Sequence, residues 1–128
     1  MVLLDTSALL AHYYHENGEV AVEQLLQSGE AWVAAPTWLE MRINITAHNA
    51  DAVVRAYQGI VAGTVDITRE IAEAAFTIRT SSNQRIPAVD SLIAAAAFLR
   101  GFRLVHRDKH MARVPQHLVP QTILPPKA

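Results

Sequence analysis

The sequence contains no cysteine, which removes both a disulfide framework and a thiolate metal site and makes a reducing cytoplasm the expected compartment. It has no long hydrophobic run either. The best one, Ser91 to Leu99, is about half of the roughly 18 uncharged apolar residues that a spanning helix needs, so no membrane span is expected. The opening residues Met1-Val2-Leu3-Leu4-Asp5 lack a basic stretch, and their apolar run is too short for a secretory leader. The chain's five glycines form no phosphate loop with a following lysine and no dinucleotide fingerprint, and no G-x-S-x-G elbow is found. Any grip on phosphate must therefore come from arginines and a metal ion. Internal repeats, linkers and low-complexity tracts are absent as well.

What is present fits one domain spanning residues 1–128. A chain of this length buries roughly two thirds of its unfolded surface, enough for a single core. With 51% hydrophobic and 18% charged residues the composition is on the apolar side, which suggests that another chain covers part of the surface. The net charge of −1 conceals an uneven distribution. Residues 1–73 hold ten acids and three bases, a balance of −7, and residues 79–128 hold eight bases and two acids, a balance of +6. Such asymmetry suits a polyanion bound to one side of the molecule. Arg79, Arg85, Arg103 and Arg107 are the candidate contacts to the phosphates of such a polyanion.

Hydrophobic periodicity and capping residues divide the chain into alternating strands and helices. Val2 to Leu4 reads as a strand ending in Asp5-Thr6-Ser7, with a helix after it. A second helix spans about Gly18 to Ser28 and is stopped by Gly29, and Ala31 to Ala34 is a buried strand. Thr37 and Glu40 stand in capping-box spacing at the start of a third helix, and Asp51 is placed to cap a fourth running from Ala52 to about Gly59. Thr64 to Ile67 reads as a strand, Thr68 as the cap of a helix through Ile78, and Pro87 as the start of a long helix from Ala88 to Arg100. Arg103 to His106 is a strand, and the proline-rich tail leaves room for a short edge strand around Leu118 or Thr122 to Leu124. The alternation predicts an α/β protein, a three-layer α/β/α sandwich around a mainly parallel four- or five-stranded sheet.

In an open parallel sheet the loops at the carboxyl ends of the strands build the site. Asp5 ends the first strand, Asp108 follows the strand ending at His106, and Asp90 and Glu40 lie in first turns of helices. Each acid alone has a structural explanation: helix cap, capping-box partner, dipole partner or turn residue. Together they form a set of carboxylates suited to Mg2+ or Mn2+, hard cations that take oxygen ligands and keep several waters. Such an ion activates water for attack on a phosphodiester. Asp5, Asp90 and Asp108 are the candidate direct or water-mediated ligands. Glu40 is a candidate to orient water or complete a second metal site, and Thr6 and Ser7 are candidate supporting residues.

The segments Val2-Leu3-Leu4-Asp5-Thr6-Ser7-Ala8-Leu9, Glu40 after a strand and a proline, Val89-Asp90-Ser91-Leu92-Ile93-Ala94-Ala95-Ala96-Ala97, and Leu104-Val105-His106-Arg107-Asp108-Lys109 resemble the PIN-domain family, specifically its VapC-type toxins. The resemblance implies strand order 3-2-1-4-5 and a metal-dependent endoribonuclease acting on tRNA or ribosomal RNA. It also implies a homodimer and a VapB-like antitoxin that lies over the active site. An inactive PIN interaction module and a PIN nuclease for RNA maturation are the alternatives. The chain departs from the family pattern at His106 and Met111, where a hydroxyl residue and an aromatic residue are common, and at Ile86-Pro87, where a glycine is common. The pairs His12/His15 and His106/His110 offer a rival reading, a zinc site or a metal-independent acid–base pair, but neither sits in a metallohydrolase motif.

Overall fold

The computed structural model describes residues 1–46 and 48–127. In chain order the elements are β1 (Val2–Leu4), α1 (Thr6–Tyr13), α2 (Glu19–Gln27), β2 (Ala31–Ala34), α3 (Ala35–Asn44), α4 (Ala50–Ile60), β3 (Gly63–Val65), α5 (Arg69–Thr80), α6 (Ala88–Arg100), β4 (Arg103–His106) and β5 (Gln121–Ile123), with a 3-10 turn at Met111–Arg113. Among the described residues the five strands form one sheet in the order β3-β2-β1-β4-β5, and all four pairings are parallel. The expected α/β/α architecture and strand order are therefore present. No helix of the described residues is long and apolar enough to cross a membrane.

The period of two along β1 explains the layers. Leu3 points to one face, where Leu104, Ile71, Ile78 and the fully buried run Ala94 to Ala97 of α6 pack. Val2 and Leu4 point to the other, against Leu9 of α1, Val22 and Leu26 of α2, and Trp38 and Met41 of α3. A strand buried on both faces must be apolar throughout, as Val2-Leu3-Leu4 is. Four consecutive alanines let α6 lie close to the sheet and to α5 where larger side chains would hold it away.

The expected caps form unevenly. Thr68 accepts a hydrogen bond from the Ile71 amide at 3.2 Å, as its position suggested, and Gly29 and Gly101 take positive φ values of 74° and 67° at helix ends. The capping box at Thr37 and Glu40 is not formed. β2 runs into α3 without a loop, so Ala34 occupies the cap position and Thr37 lies inside the first turn. Asp51 likewise sits inside the first turn of α4 behind Asn49, where it pairs with Arg42 and Arg55. β3 begins one residue earlier than Thr64 and ends at Val65, because Gly63 pairs with Trp32.

Gly63 is required there by space. A Cβ on it would lie 2.4 Å from the six-membered ring of Trp32, which is packed against Phe102 and capped by the Arg100 guanidinium 5.4 Å above it. Gly63→Ala is expected to destabilise the fold by about 1–3 kcal/mol, the usual cost of overpacking. Urea denaturation followed by tryptophan fluorescence checks this, and an unchanged midpoint would mean that the indole yields without strain.

Candidate active site

The sheet order reverses between β1 and β4, and the carboxyl ends of these two strands deliver Asp5 and Asp108 side by side. Asp5 follows β1 directly. Its amide donates to the Val105 carbonyl of β4 at 3.1 Å, which ties the first strand's exit to the fourth. It is also the N-cap of α1: Oδ1 accepts from the Ala8 amide at 2.9 Å and from the Ser7 hydroxyl at 2.6 Å. Cap and cluster member are thus one residue, not alternatives.

Ser7 has a second task. Its Oγ accepts the Arg107 amide at 3.0 Å, so one hydroxyl fastens the start of α1 to the turn after β4. Thr6 serves Glu40 in the same way. Its hydroxyl donates to Glu40 Oε1 at 2.5 Å and lies 3.1 Å from Thr37 Oγ1, which fixes the carboxylate that α3 projects toward α1. Asp90 comes from the first turn of α6. Asp108 accepts the His110 amide at 2.7 Å, closing a tight turn that aims its other oxygen lone pairs outward.

These four carboxylates line a hollow of about 190 Å³ together with Thr6, Ser7, Leu10, Asn44 and Ile93. Among the described residues two hollows of about 420 Å³ lie elsewhere and gather at most one acid each, and one of about 200 Å³ holds Asp66 and Glu70 beside Arg100, so only the hollow at Asp5 gathers four acids. Chemistry rather than volume therefore marks the site. Among the described residues none of the four carboxylates is paired with a lysine or arginine. Burial pushes the Asp5 carboxyl up to about 7, against the Ser7 and Ala8 hydrogen bonds, and the charges of Asp108 and Asp90 add to the rise. Asp90 is raised to about 6, first by burial and then by Asp108 and Glu40. A buried acid gathered with three half-buried ones, none paired with a lysine or arginine, fits a hard divalent cation, and the oxygen donors Asp5, Asp90, Asp108 and Glu40 are of the right kind.

His106 proves to be a structural partner of this cluster. The Asp108 amide can only donate, so it donates to His106 Nδ1 at 3.1 Å, and the proton must sit on Nε2, which donates to Gln121 Oε1 at 2.8 Å. Gln121 in turn donates to the Val114 carbonyl at 2.7 Å. Burial holds the imidazole below its ordinary pKa, opposed by Gln121 and by Asp108. A neutral, fully buried histidine thus takes the position at which a hydroxyl is common and anchors the backbone of Asp108.

The histidine pairs do not form shared metal sites. His106 lies in β4 rather than on a helix face with His110, and His12 Nδ1 is bonded to the Tyr57 hydroxyl at 2.6 Å while His15 pairs with Glu19 at 2.8 Å. The four arginines also separate. Arg107 is turned inward, its guanidinium bound to Glu16 with 11% of the side chain exposed. Arg103 opens β4 at its amino end and donates to the Gln121 carbonyl, at the opposite end of the strand from Asp108. Arg79 and Arg85 flank the entry to α6 without lining the hollow: Arg79 donates to the Ile86 carbonyl, and Arg85 stands in the loop leading into α6. A residue outside the expected quartet joins it, because His110 offers a donor atom within 4.8 Å of those of Asp90 and Asp108. The sequence offers His110 only within the His106/His110 pair of the rival reading, not as a partner of Asp90 and Asp108.

The family model of the PIN domain matches residues 2–116. No curated protein matches the chain. Among solved structures, VapBC2 from Rickettsia felis bound to a DNA fragment from its promoter superposes with a TM-score of 0.76 at 16% identity, covering 98% of this chain and 100% of that one. DNA-bound VapBC from Salmonella typhimurium gives 0.76 at 18% identity, covering 96% and 98%. VapC20 from Mycobacterium tuberculosis, described as a sarcin–ricin loop cleaving toxin, gives 0.65 at 16% identity, covering 88% and 93%.

Proposed function

We propose, from the premise that this chain belongs to the PIN-domain family, that it is a metal-dependent endoribonuclease and the toxin of a toxin–antitoxin pair. The observation that carries the reading is the hollow lined by Asp5, Glu40, Asp90 and Asp108, four carboxylates without a lysine or arginine partner among the described residues. An inactive interaction module would have no use for this uncompensated charge.

Asp5, Asp90 and Asp108 would hold the ion, Mg2+ or Mn2+, with Glu40 beside them. When bound, such an ion neutralises charge on the scissile phosphate and makes water a competent nucleophile at neutral pH. The chain's own residues do the positioning. Asp5 is locked by the Ala8 amide and Ser7, so its free oxygen faces the hollow with little freedom to lose. Glu40, whose Oε1 accepts the Thr6 hydroxyl, would orient water at the rim of the hollow or complete a second metal site. His106 keeps the Asp108 turn from relaxing away from its neighbours.

The substrate class is RNA, of the tRNA or ribosomal kind, and residues 1–128 act as a single nuclease domain. The partner is a VapB-like antitoxin. The neighbours from Rickettsia felis and Salmonella typhimurium are VapBC assemblies, and the similar VapBC-5 from Mycobacterium tuberculosis is described as a member of the VapBC family of toxin–antitoxin systems, which supports this partner. A homodimer in the cytoplasm completes the reading. The purified protein is expected to cleave RNA in Mn2+ or Mg2+, to fall silent in EDTA, and to recover when the ion is restored. Activity that persists in EDTA would remove the carboxylate mechanism.

Arg79 and Arg85, on the segment that leads into α6, are the proposed phosphate contacts. Each phosphate contact releases counterions, so replacing either with glutamine should flatten the dependence of RNA affinity on salt by roughly 0.7 log units per log unit of salt. The same change at Arg103, at the far end of β4, should leave the slope unaltered. Filter binding at four salt concentrations separates these outcomes, and parallel slopes for all variants would leave Arg79 and Arg85 as ordinary surface residues.

A further inference from the structure

We propose that His110 is a nitrogen ligand of the ion held by Asp90 and Asp108, so that the site selects Mn2+ and Co2+ over Mg2+. The inference rests on the metal-dependent reading above and deepens it. Asp90, Asp108 and His110 each bring one donor atom to within 4.8 Å of the other two. His110 Nδ1 stands 3.6 Å from Asp108 Oδ1. Ligands at about 2.1 Å from one ion are about 3.0 Å apart at a right angle and about 4.2 Å apart when opposed, so this separation falls in the range that one ion spans.

The local chain geometry holds the imidazole there. The His110 amide donates to Asp108 Oδ1 at 2.7 Å, so the turn that fixes the carboxylate also fixes the backbone of the histidine. Among the described residues its ring nitrogens make no hydrogen bond, and 38% of the side chain is exposed, which leaves the ring free to rotate onto an ion. His106, two residues from Asp108, differs in both respects: it is fully buried and both nitrogens are used. A purely carboxylate site suits Mg2+, which seeks oxygen and gives up water reluctantly. An imidazole among the donors favours the later divalent ions, for which nitrogen affinity rises from Mn2+ to Co2+.

The test is titration of the EDTA-stripped full chain with Mg2+, Mn2+ and Co2+ by calorimetry, with pulsed electron paramagnetic resonance of the Mn2+ form. The parent should show nitrogen coupling from a bound imidazole. His110→Ala and His110→Gln should lose that coupling and bind Mn2+ and Co2+ about tenfold or more weakly, with Mg2+ affinity within about twofold of the parent. A parent without nitrogen coupling, coupling that survives in both variants, or an equal loss for all three ions overturns the assignment. Asp90→Asn separates this failure from that of the metal reading itself. If it binds all three ions like the parent, the carboxylate site is wrong. If it loses them all while the His110 variants bind like the parent, only the histidine is misassigned.

Discussion

Asp5→Asn and Asp90→Asn should each lower RNA cleavage by about a thousandfold or more, equivalent to about 4 kcal/mol of lost transition-state stabilisation. Both changes are nearly isosteric. An asparagine in place of Asp5 can still accept the Ala8 amide through its carbonyl oxygen, so α1 keeps its cap, while the negative charge that an ion requires is gone. Asp90 lies in the first turn of α6, where losing a dipole partner costs about 1 kcal/mol or less of stability. Activity and stability are therefore expected to part company. Single-turnover cleavage of an end-labelled RNA in Mn2+, with circular dichroism of each variant, measures both. Asp51→Asn is the matched control, because Asp51 is a surface acid paired with Arg42 and Arg55 on α4. A folded Asp5→Asn or Asp90→Asn protein that cleaves like the parent would remove the quartet from catalysis.

The second large effect concerns the ion-free protein. Asp5 has its folded-state pKa at about 7 and Asp90 at about 6, against 3.8 for the free side chain. Between about 4 and 7 the folded state therefore carries more protons than the unfolded chain, and stability falls as pH rises through that interval. For Asp5 alone the loss is about 4 kcal/mol by pH 7.5, at about 1.36 kcal/mol per pKa unit. The half-exposed Asp90 adds a smaller, solvent-screened part. In EDTA at pH 7.5, Asp5→Asn should thus melt roughly 10 to 15 °C above the parent, and the difference should close toward pH 4. Mn2+ should raise the parent's melting temperature and leave the variant nearly unmoved. If Asp5 were only a helix cap, asparagine would cap α1 equally well, and the melting temperature would stay close to the parent's at every pH with no metal response.

Much of this arrangement is legible in the sequence, and for identifiable reasons. Strand β1 is apolar at three consecutive positions and ends in Asp5-Thr6-Ser7, a strand exit and a helix cap in adjacent letters. Asp90 and Asp108 flank a helix and strand whose boundaries are set by Pro87 and Gly101, so their shared end of the sheet follows from topology. Glu40 is singled out in the sequence by a capping box that the fold does not form, and its true partner is Thr6, 34 positions away. Arg107 shows the opposite error. A basic residue next to Asp108 looks like a phosphate contact until Glu16, 91 positions distant, claims its guanidinium. Asp51 misleads because Asn49 and Asp51 are both acceptable caps and only the geometry before α4 decides between them. Local letters give caps and strand ends; ion pairs between remote segments need the three-dimensional arrangement.

The pairing of β1 with β4 has one further consequence. Residues Val2–Leu4 wait for Arg103–Val105, and until that strand arrives Asp5 has no Val105 carbonyl to fix its amide and no Asp108 beside it. Closing so long a loop comes late and slowly in folding. During synthesis the amino-terminal half therefore leaves the ribosome with Asp5 and Glu40 in hand but with half of the cluster still untranslated. Asp5 and Glu40 are joined by Asp90 and Asp108 only when the segment carrying Asp108 is clear of the exit, so the carboxylate hollow does not exist on the nascent chain before then.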